Sequence, residues 1–365
     1  MHVRSFPRRW FVALIVLLAH AVLVASYEVR ITREQHDRFV KAARVWHEPQ
    51  SDDLLSGEAN GYKILDRLDC EFLPYDFPGG ATPKFLCAIL DKNGSATKDV
   101  VKIKYGRHNH EIPAEVAGGN LLRHLGFGGD HMQIARRLVC YGTGCPKGDR
   151  PSEPIQPLAT QSKYEILEWV SVERRMEGHE LLVGDKQGFS MSELASVRRT
   201  SDEDKTEADA FFLLLALVNH ADSKSSNQRL MCLPEQMDED THECLVPFAM
   251  VHDTGTFFGS GSQRKKVTMR SWASETVFDG NNCTVQVHSG WTGSHFPAVR
   301  ISEEGRQVLL KQLEAMIDSA DHNQIRNLFA GAHMDLDKNS TIDGWVNLFI
   351  DKVREIERTG PCPAP

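Results

Sequence analysis

Asn219-His220-Ala221-Asp222-Ser223-Lys224-Ser225-Ser226-Asn227 is the stretch whose reading decides the fold. It follows an apolar helical run, Ala210 to Val218, and precedes a short strand-like piece, Arg229 to Leu233. Four residues separate Asp222 from Asn227, and His220 stands two before the aspartate. A second apolar run, Leu245 to Val251, leads into Asp253-Thr254-Gly255. In metal-assisted phosphoryl transfer one carboxylate accepts the proton of the attacking hydroxyl. An amide oxygen and a second carboxylate hold the cation that neutralises the phosphates. Asp222, Asn227 and Asp253 supply those groups in that order. An Asp-x4-Asn spacing alone arises by chance about once in a few hundred residues, so the neighbouring parts carry the weight.

Upstream, Pro83 to Leu90 reads as a strand, Asp91 to Gly94 as a turn, and Asp99 to Tyr105 alternates like a second strand. Val101 and Ile103 share one face of it, Lys102 and Lys104 the other. The turn-rich Tyr75 to Thr82 precedes this hairpin. Gly79 and Gly80 would let backbone N–H groups approach an anion, although most Gly-Gly pairs are simple turns. Glu111 to Leu125 is a helix stopped by Gly126-Phe127-Gly128-Gly129. Glu115 sits in its first half. A helix glutamate paired with a strand lysine would fix that lysine on nucleotide phosphates; the plainer fate of Glu115 is a solvated face. Ser201-Asp202-Glu203-Asp204 caps a long helix, Lys205 to Asn219, whose centre is apolar all round and so buried.

Composition bounds the rest. The chain has 365 residues, 41% hydrophobic and 25% charged, which is ordinary globular make-up. A net charge of −8 and a pI near 6.1 leave no basic footprint for nucleic acid. Residues 1–26 read as a signal peptide: Arg4, Arg8 and Arg9, then an apolar run from Trp10 to Val24, then Ala25-Ser26. That run is short for a membrane span, so a retained anchor is the weaker alternative. No later run is long and apolar enough to cross a membrane.

The eight cysteines of an exported chain favour disulfides. Cys140/Cys145 and Cys232/Cys244 are the near pairs; Cys70/Cys87 and Cys283/Cys362 follow by elimination. A zinc site on Cys140 and Cys145 would need two more ligands at recognisable spacing. Asp335 to Asp343 imitates a calcium loop, but Ser340 replaces its glycine and Val346 its final glutamate, so helix capping by Asn339 to Thr341 is preferred. Asn93, Asn282 and Asn339 stand in glycan-acceptor triplets. Thr32 to Trp46 and Phe189 to Val197 are further helix candidates. Ser260 to Val299 is long and irregular, with Trp272 and Trp291 as anchors. Three helices close the chain: Glu303 to Ile317, Asn323 to Gly331 and Thr341 to Glu357.

Together these parts resemble the atypical kinases, the HipA-like and phosphoinositide-kinase-like branch. Gly79-Gly80-Ala81-Thr82-Pro83-Lys84 is similar to their Gly-x-x-Pro-Lys loop, and Asn219 to Asn227 to their catalytic loop. The chain also looks like a family of exported bacterial proteins sharing the Lys104-Tyr105-Gly106 strand end, the Glu115-Val116-Ala117 helix and the Leu125-Gly126-Phe127 turn. The resemblance spans roughly 76–259. It implies an α+β, bilobal protein-kinase-like fold: a small antiparallel-sheet lobe with one helix over 76–172, then a larger, mainly helical lobe over 173–358. Residues 27–75 are then an extension packed on the catalytic body, and 359–365 a tail. It further implies ATP and Mg2+ as cofactors. Lys104 would bind the nucleotide, with Lys102 as alternate, and Glu115 would hold it. Gly79, Gly80 and Lys84 would line the phosphate loop. Asp222 would be the base, Lys224 would touch the transferring phosphate, and Asn227 and Asp253 would hold the metal. Thr254 stands where protein kinases carry Phe. The implied activity is transfer to a hydroxyl of a protein or small molecule. The competing readings are a catalytically silent binder of the same fold, and an unrelated disulfide-stapled protein in which Lys104, Asp222 and Asp253 lie far apart.

Overall fold

The computed structural model describes residues 28–49, 62–75, 82–106, 109–148, 156–158, 163–184, 188–197, 201–259, 269–287, 294–336 and 340–363. The signal-peptide reading, Gly79, Gly80, Asn339 and Trp291 lie outside them.

The chain is α+β. Strand β1 (Glu28–Ile31) and helix α1 (Arg33–Ala42) open it. Thr32 starts α1 with a capping box: its side chain accepts from Gln35 N, and Gln35 returns the bond to Thr32 N. Five strands then close into a barrel: β2 (Leu68–Leu73), β3 (Lys84–Leu90), β4 (Ala96–Lys104), β5 (His131–Tyr141) and β6 (Tyr164–Arg174), in the order β2-β3-β4-β6-β5. The expectation of a wholly antiparallel sheet needs correction. β2 pairs parallel with β5, Cys70 opposite Cys140, and that pairing closes the ring and removes both edges. β2 also lies before residue 76, in the stretch read as extension.

Helix α2 (Glu111–His124) lies between β4 and β5 in sequence and packs on β5 and β6. Every residue from Ile112 to Leu122 is buried, because both the barrel and the helical body cover it. After β6 come β7 (His179–Val183) and the short α3 (Met191–Ala195). α4 (Asp202–Leu217) follows, with Ser201 as its cap. Its residues Glu207 to Leu217 are all buried, as an all-round apolar helix requires. β8 (Gln228–Cys232) and β9 (Phe248–Val251) join β7 and β1 in a four-stranded sheet, order β1-β7-β8-β9. Part of the expected extension is thus built into this sheet.

The irregular stretch before residue 299 contains α5 (Met269–Ser274), which buries Trp272, and β10 (Thr284–Val285), which pairs with β11 (Val299–Arg300). α6 (Glu303–Ile317), α7 (Asn323–Gly331) and α8 (Ile342–Arg358) complete the chain. Thr341 caps α8 by accepting from Gly344 N, which accounts for the hydroxyl end of the calcium-loop lookalike. Four disulfides join Cys70–Cys87, Cys140–Cys145, Cys232–Cys244 and Cys283–Cys362, so zinc has no thiolate at Cys140 and Cys145. Such bridges persist in an oxidising environment. No helix among the described residues is long and apolar enough to cross a membrane.

Candidate active site

The end of α4 sets the site. Val218 caps the helix and Asn219 takes a left-handed φ of 56°. Asn219 N donates to Ala216 O at 3.0 Å and His220 N to Leu215 O at 2.9 Å, the two bonds of a Schellman motif. Asparagine is among the few residues that accept this conformation cheaply. The turn throws the chain off the helix so that Asp222 follows at a fixed point. His220 is fully buried: its Nε2 meets Gln228 Nε2 at 2.9 Å, and its ring stands edge-on to Phe257. Gln228 Nε2 can only donate, so His220 Nε2 accepts and the ring is neutral. Burial holds its pKa down to about 4, against the pull of Asp222 and Asp253. It is a packing residue.

Asn227 ends a 3-10 turn, Ser225–Asn227, and leads into β8. Its carbonyl accepts from His252 N at 2.9 Å and from Asp253 N at 3.3 Å. The β8–β9 ladder, with Gln228 opposite Val251, therefore brings Asn227 to Asp253. Asn227 Nδ2 donates to Asp222 O at 2.7 Å, and Asp222 N to Thr256 Oγ1 at 3.3 Å. Asp222, Asn227 and Asp253 are thus tied into one loop cluster.

Lys104 ends β4. Its Nζ contacts Glu115 Oε1 directly and lies 3.7 Å from Glu111 Oε1 and 3.8 Å from Asp253 Oδ1. Lys104 is 2% exposed and Glu115 1%. Burial works against the Lys104 charge, but Asp253, Glu115, Glu111 and Glu173 outweigh it and hold the ammonium well above its usual value. Burial, with Asp253 and Glu173 nearby, pushes Glu115 up against the pull of Lys104. Burial raises Asp253 too, yet Lys104, Lys102 and the Gly255 N–H bring it below the usual carboxylate range. Lys102 pairs with Glu173 instead, so geometry selects Lys104 as the partner of Glu115. Lys84 stands opposite Lys104 in the β3–β4 register. Burial, then the charges of Lys104 and Lys102, lower its pKa.

Helix α2 is locked to this loop. Thr254 Oγ1 donates to Glu115 O at 2.9 Å. A Cβ on Gly118 would stand 2.7 Å from Phe257 Cδ2 and 2.9 Å from Thr254 Cβ, so only glycine permits the approach. Lys224 Nζ lies 3.0 Å from Asp222 Oδ2, and Ser294 Oγ donates to Asp222 Oδ1 at 2.8 Å.

Asp253 and the Asn227 amide oxygen are hard oxygen donors of the type magnesium selects. The Asn227 nitrogen is committed to Asp222 O, which leaves its oxygen for a cation. Lys104 and Lys84 place two ammonium-bearing side chains opposite each other on β4 and β3, a charge type that suits phosphate. The donor set fits a magnesium–nucleotide pair.

Several neighbours were not singled out from sequence. Glu111 lies one helical turn before Glu115, and that i,i+4 spacing was the available signal. Thr82 Oγ1 donates to Glu111 Oε2 at 2.5 Å and accepts from Asn109 Nδ2 at 3.0 Å. Behind Asp253, His252 Nδ1 meets Asp130 Oδ2 at 2.5 Å, while Arg229 Nη2 meets His252 Nε2 at 3.0 Å. Arg229 only donates, so His252 is neutral and gives its Nδ1 proton to Asp130. Ser294 had no local signal.

No family model and no curated protein matches the chain. Among solved structures it is similar to the Helicobacter pylori proinflammatory kinase CtkA, at 10% identity and a TM-score of 0.33. The alignment covers 79% of this chain and 98% of that one. An overlap this loose carries no functional conclusion; the residue contacts do.

Proposed function

We propose that the chain is an exported magnesium- and ATP-dependent phosphotransferase of bilobal, kinase-like fold, acting on a hydroxyl of a protein or small molecule. One observation carries this reading: a single buried ammonium, Lys104, touches Glu115 and lies 3.8 Å from Asp253, whose backbone is bonded to Asn227, which in turn is bonded to Asp222. The barrel with α2 is the smaller lobe, and the body built on α4 and α6 to α8 the larger.

In this reading Glu115 orients Lys104 toward the nucleotide phosphates, and Lys84, opposite Lys104 on β3, flanks them. Asn227 and Asp253 would hold magnesium, which would supply charge neutralisation for the phosphate oxygens. Asp222 accepts the proton of the attacking hydroxyl. Lys224, already against Asp222, faces the transferring group. The unrelated-protein reading expects Lys104, Asp222 and Asp253 to lie far apart; against it, Lys104 Nζ lies 3.8 Å from Asp253 Oδ1, and Asn227 bonds to the backbones of both Asp253 and Asp222.

A second reading, binding without transfer, is favoured by the Asp222 carboxylate, whose two oxygens are engaged by Lys224 and Ser294. Thermal shift with ATP and Mg2+ tests the site: metal-dependent stabilisation is expected, and its loss in Asp253→Ala. Transfer of labelled phosphate, lost in Asp222→Ala, separates enzyme from binder. Absence of any metal-dependent stabilisation in the native chain refutes both.

A further inference from the structure

Ser294 presents a hydroxyl to the carboxylate read above as the base. Its Oγ donates to Asp222 Oδ1 at 2.8 Å, inside the roughly 2.6–3.2 Å reach that a general base needs. The other carboxylate oxygen faces Lys224 Nζ at 3.0 Å. Thr256, the nearby threonine, meets the Asp222 backbone N–H rather than its carboxylate.

The residues after Ser294 are anchored to the body that carries Asp222. Phe296 is 3% exposed and packs edge-on to Phe212 of α4, ring centroids 5.9 Å apart. β11 pairs with β10, and Ile301 N donates to Cys283 O at 2.9 Å. Cys283 is itself bridged to Cys362. The Ser294 hydroxyl is therefore held against the carboxylate by packing on the same helix that delivers Asp222.

We propose that Ser294 is a self-modification site: the chain transfers a phosphoryl group from a nucleoside triphosphate to its own Ser294, within one molecule. This rests on the phosphotransfer reading above. The Ser294 Oγ bonds to the γ-phosphorus as the bond from that phosphorus to the β–γ bridging oxygen breaks. The hydroxyl proton passes to Asp222, and the nucleoside diphosphate leaves with the bonding pair. The phosphoserine carries about −1.5 to −2 charges. Once Asp222 has released its proton, the two groups repel, so the modified residue withdraws and frees the carboxylate for an external hydroxyl.

The test uses the full chain with ATP and Mg2+, read by intact mass and phosphopeptide mapping over a roughly 100-fold range of protein concentration. The expected result is one phosphate on Ser294, at a rate independent of dilution. Ser294→Thr keeps the transfer, Ser294→Ala loses it, and Asp222→Asn slows it about 10²-fold or more. Without nucleotide, Ser294→Ala and Asp222→Asn should shift the urea midpoint non-additively, because they share one hydrogen bond. Phosphate on Ser223, Ser225 or Ser226 in place of Ser294, a rate that scales with concentration, or additive midpoints would overturn the proposal. Transfer to an added protein without any on Ser294 sinks it alone. No phosphate on any residue and no triphosphate consumed sinks the phosphotransfer reading and this proposal with it.

Discussion

Exchanging Glu115 for glutamine tests the core of the site. One ammonium, Lys104, serves three acids: Glu115 in contact, Glu111 at 3.7 Å and Asp253 at 3.8 Å. Severing an isolated buried pair costs about 3–5 kcal/mol. Here two carboxylates remain, each attracting Lys104 by about 4 kcal/mol at the effective dielectric of a protein site. Burial also pushes Glu115 up, so part of its charge is already resisted. Glu115→Gln should therefore cost only about 2 kcal/mol, near the value of one charge-assisted hydrogen bond. Lys104→Met removes the only cation in contact with Glu115 among the described residues and should cost more, toward the upper end of the buried-pair range. Function should respond differently. Freed from Glu115, the Lys104 ammonium moves toward Asp253 and competes with magnesium there. Metal-dependent nucleotide affinity should fall about tenfold, an equivalent of about 1.4 kcal/mol. Urea denaturation of both variants, and calorimetric titration with ATP in the presence and absence of Mg2+, measure the two effects. Equal costs for the two variants would refute the shared-cation account. An unchanged magnesium-dependent affinity in Glu115→Gln would refute the claim that Glu115 positions Lys104.

Two further outcomes follow from the same structure. His220 has its pKa lowered to about 4 by burial, so between there and about 6.5 the unfolded chain binds the proton that the fold refuses. The linkage sign is then fixed: its stabilising contribution is intact above pH 6.5 and is lost as pH falls toward 4, on the order of 3 kcal/mol in all. Urea midpoints measured across that window should fall less steeply in His220→Asn than in the native chain; parallel slopes would contradict the assignment. Removing Cys283–Cys362, with a sequence separation of 79, should cost about 4–5 kcal/mol in the chain-entropy account. Removing Cys140–Cys145, with a separation of 5, should cost about 2, and reversal of that order by denaturation of the double alanine variants would sink the account.

The elements governed by local chemistry were legible in the sequence. α6 and α7 run between the residues read for them in the sequence, Glu303–Ile317 and Asn323–Gly331, and α4 is buried all round as its apolar centre requires. The loop from Asn219 to Asn227 could be read because a helix end and a spacing lie within one short stretch. What escaped depends on pairing at a distance. β2 has little alternation of its own and belongs to the barrel because β3 and β5 each offer it an edge. Lys102 and Lys104 lie on the same face of β4 by simple alternation, so the choice between them turns on which position along the strand meets Glu115 and which meets Glu173. Asp130 lies 122 positions from His252 and Ser294 72 positions from Asp222, the groups they meet, so no local pattern could announce them.

The parallel pairing of β1 with β7 has a temporal consequence. Glu28 lies opposite Glu180 and Ile31 opposite Val183. A ribosome releases β1 long before its partner exists, and no hairpin can bring the two together. The strand at the front of the chain must stay unpaired while the barrel condenses behind it, then dock on a sheet assembled from later residues. Contacts of such wide separation form slowly, so fastening of the amino-terminal end should be among the last events on the folding pathway, and the first to be undone when the molecule loosens.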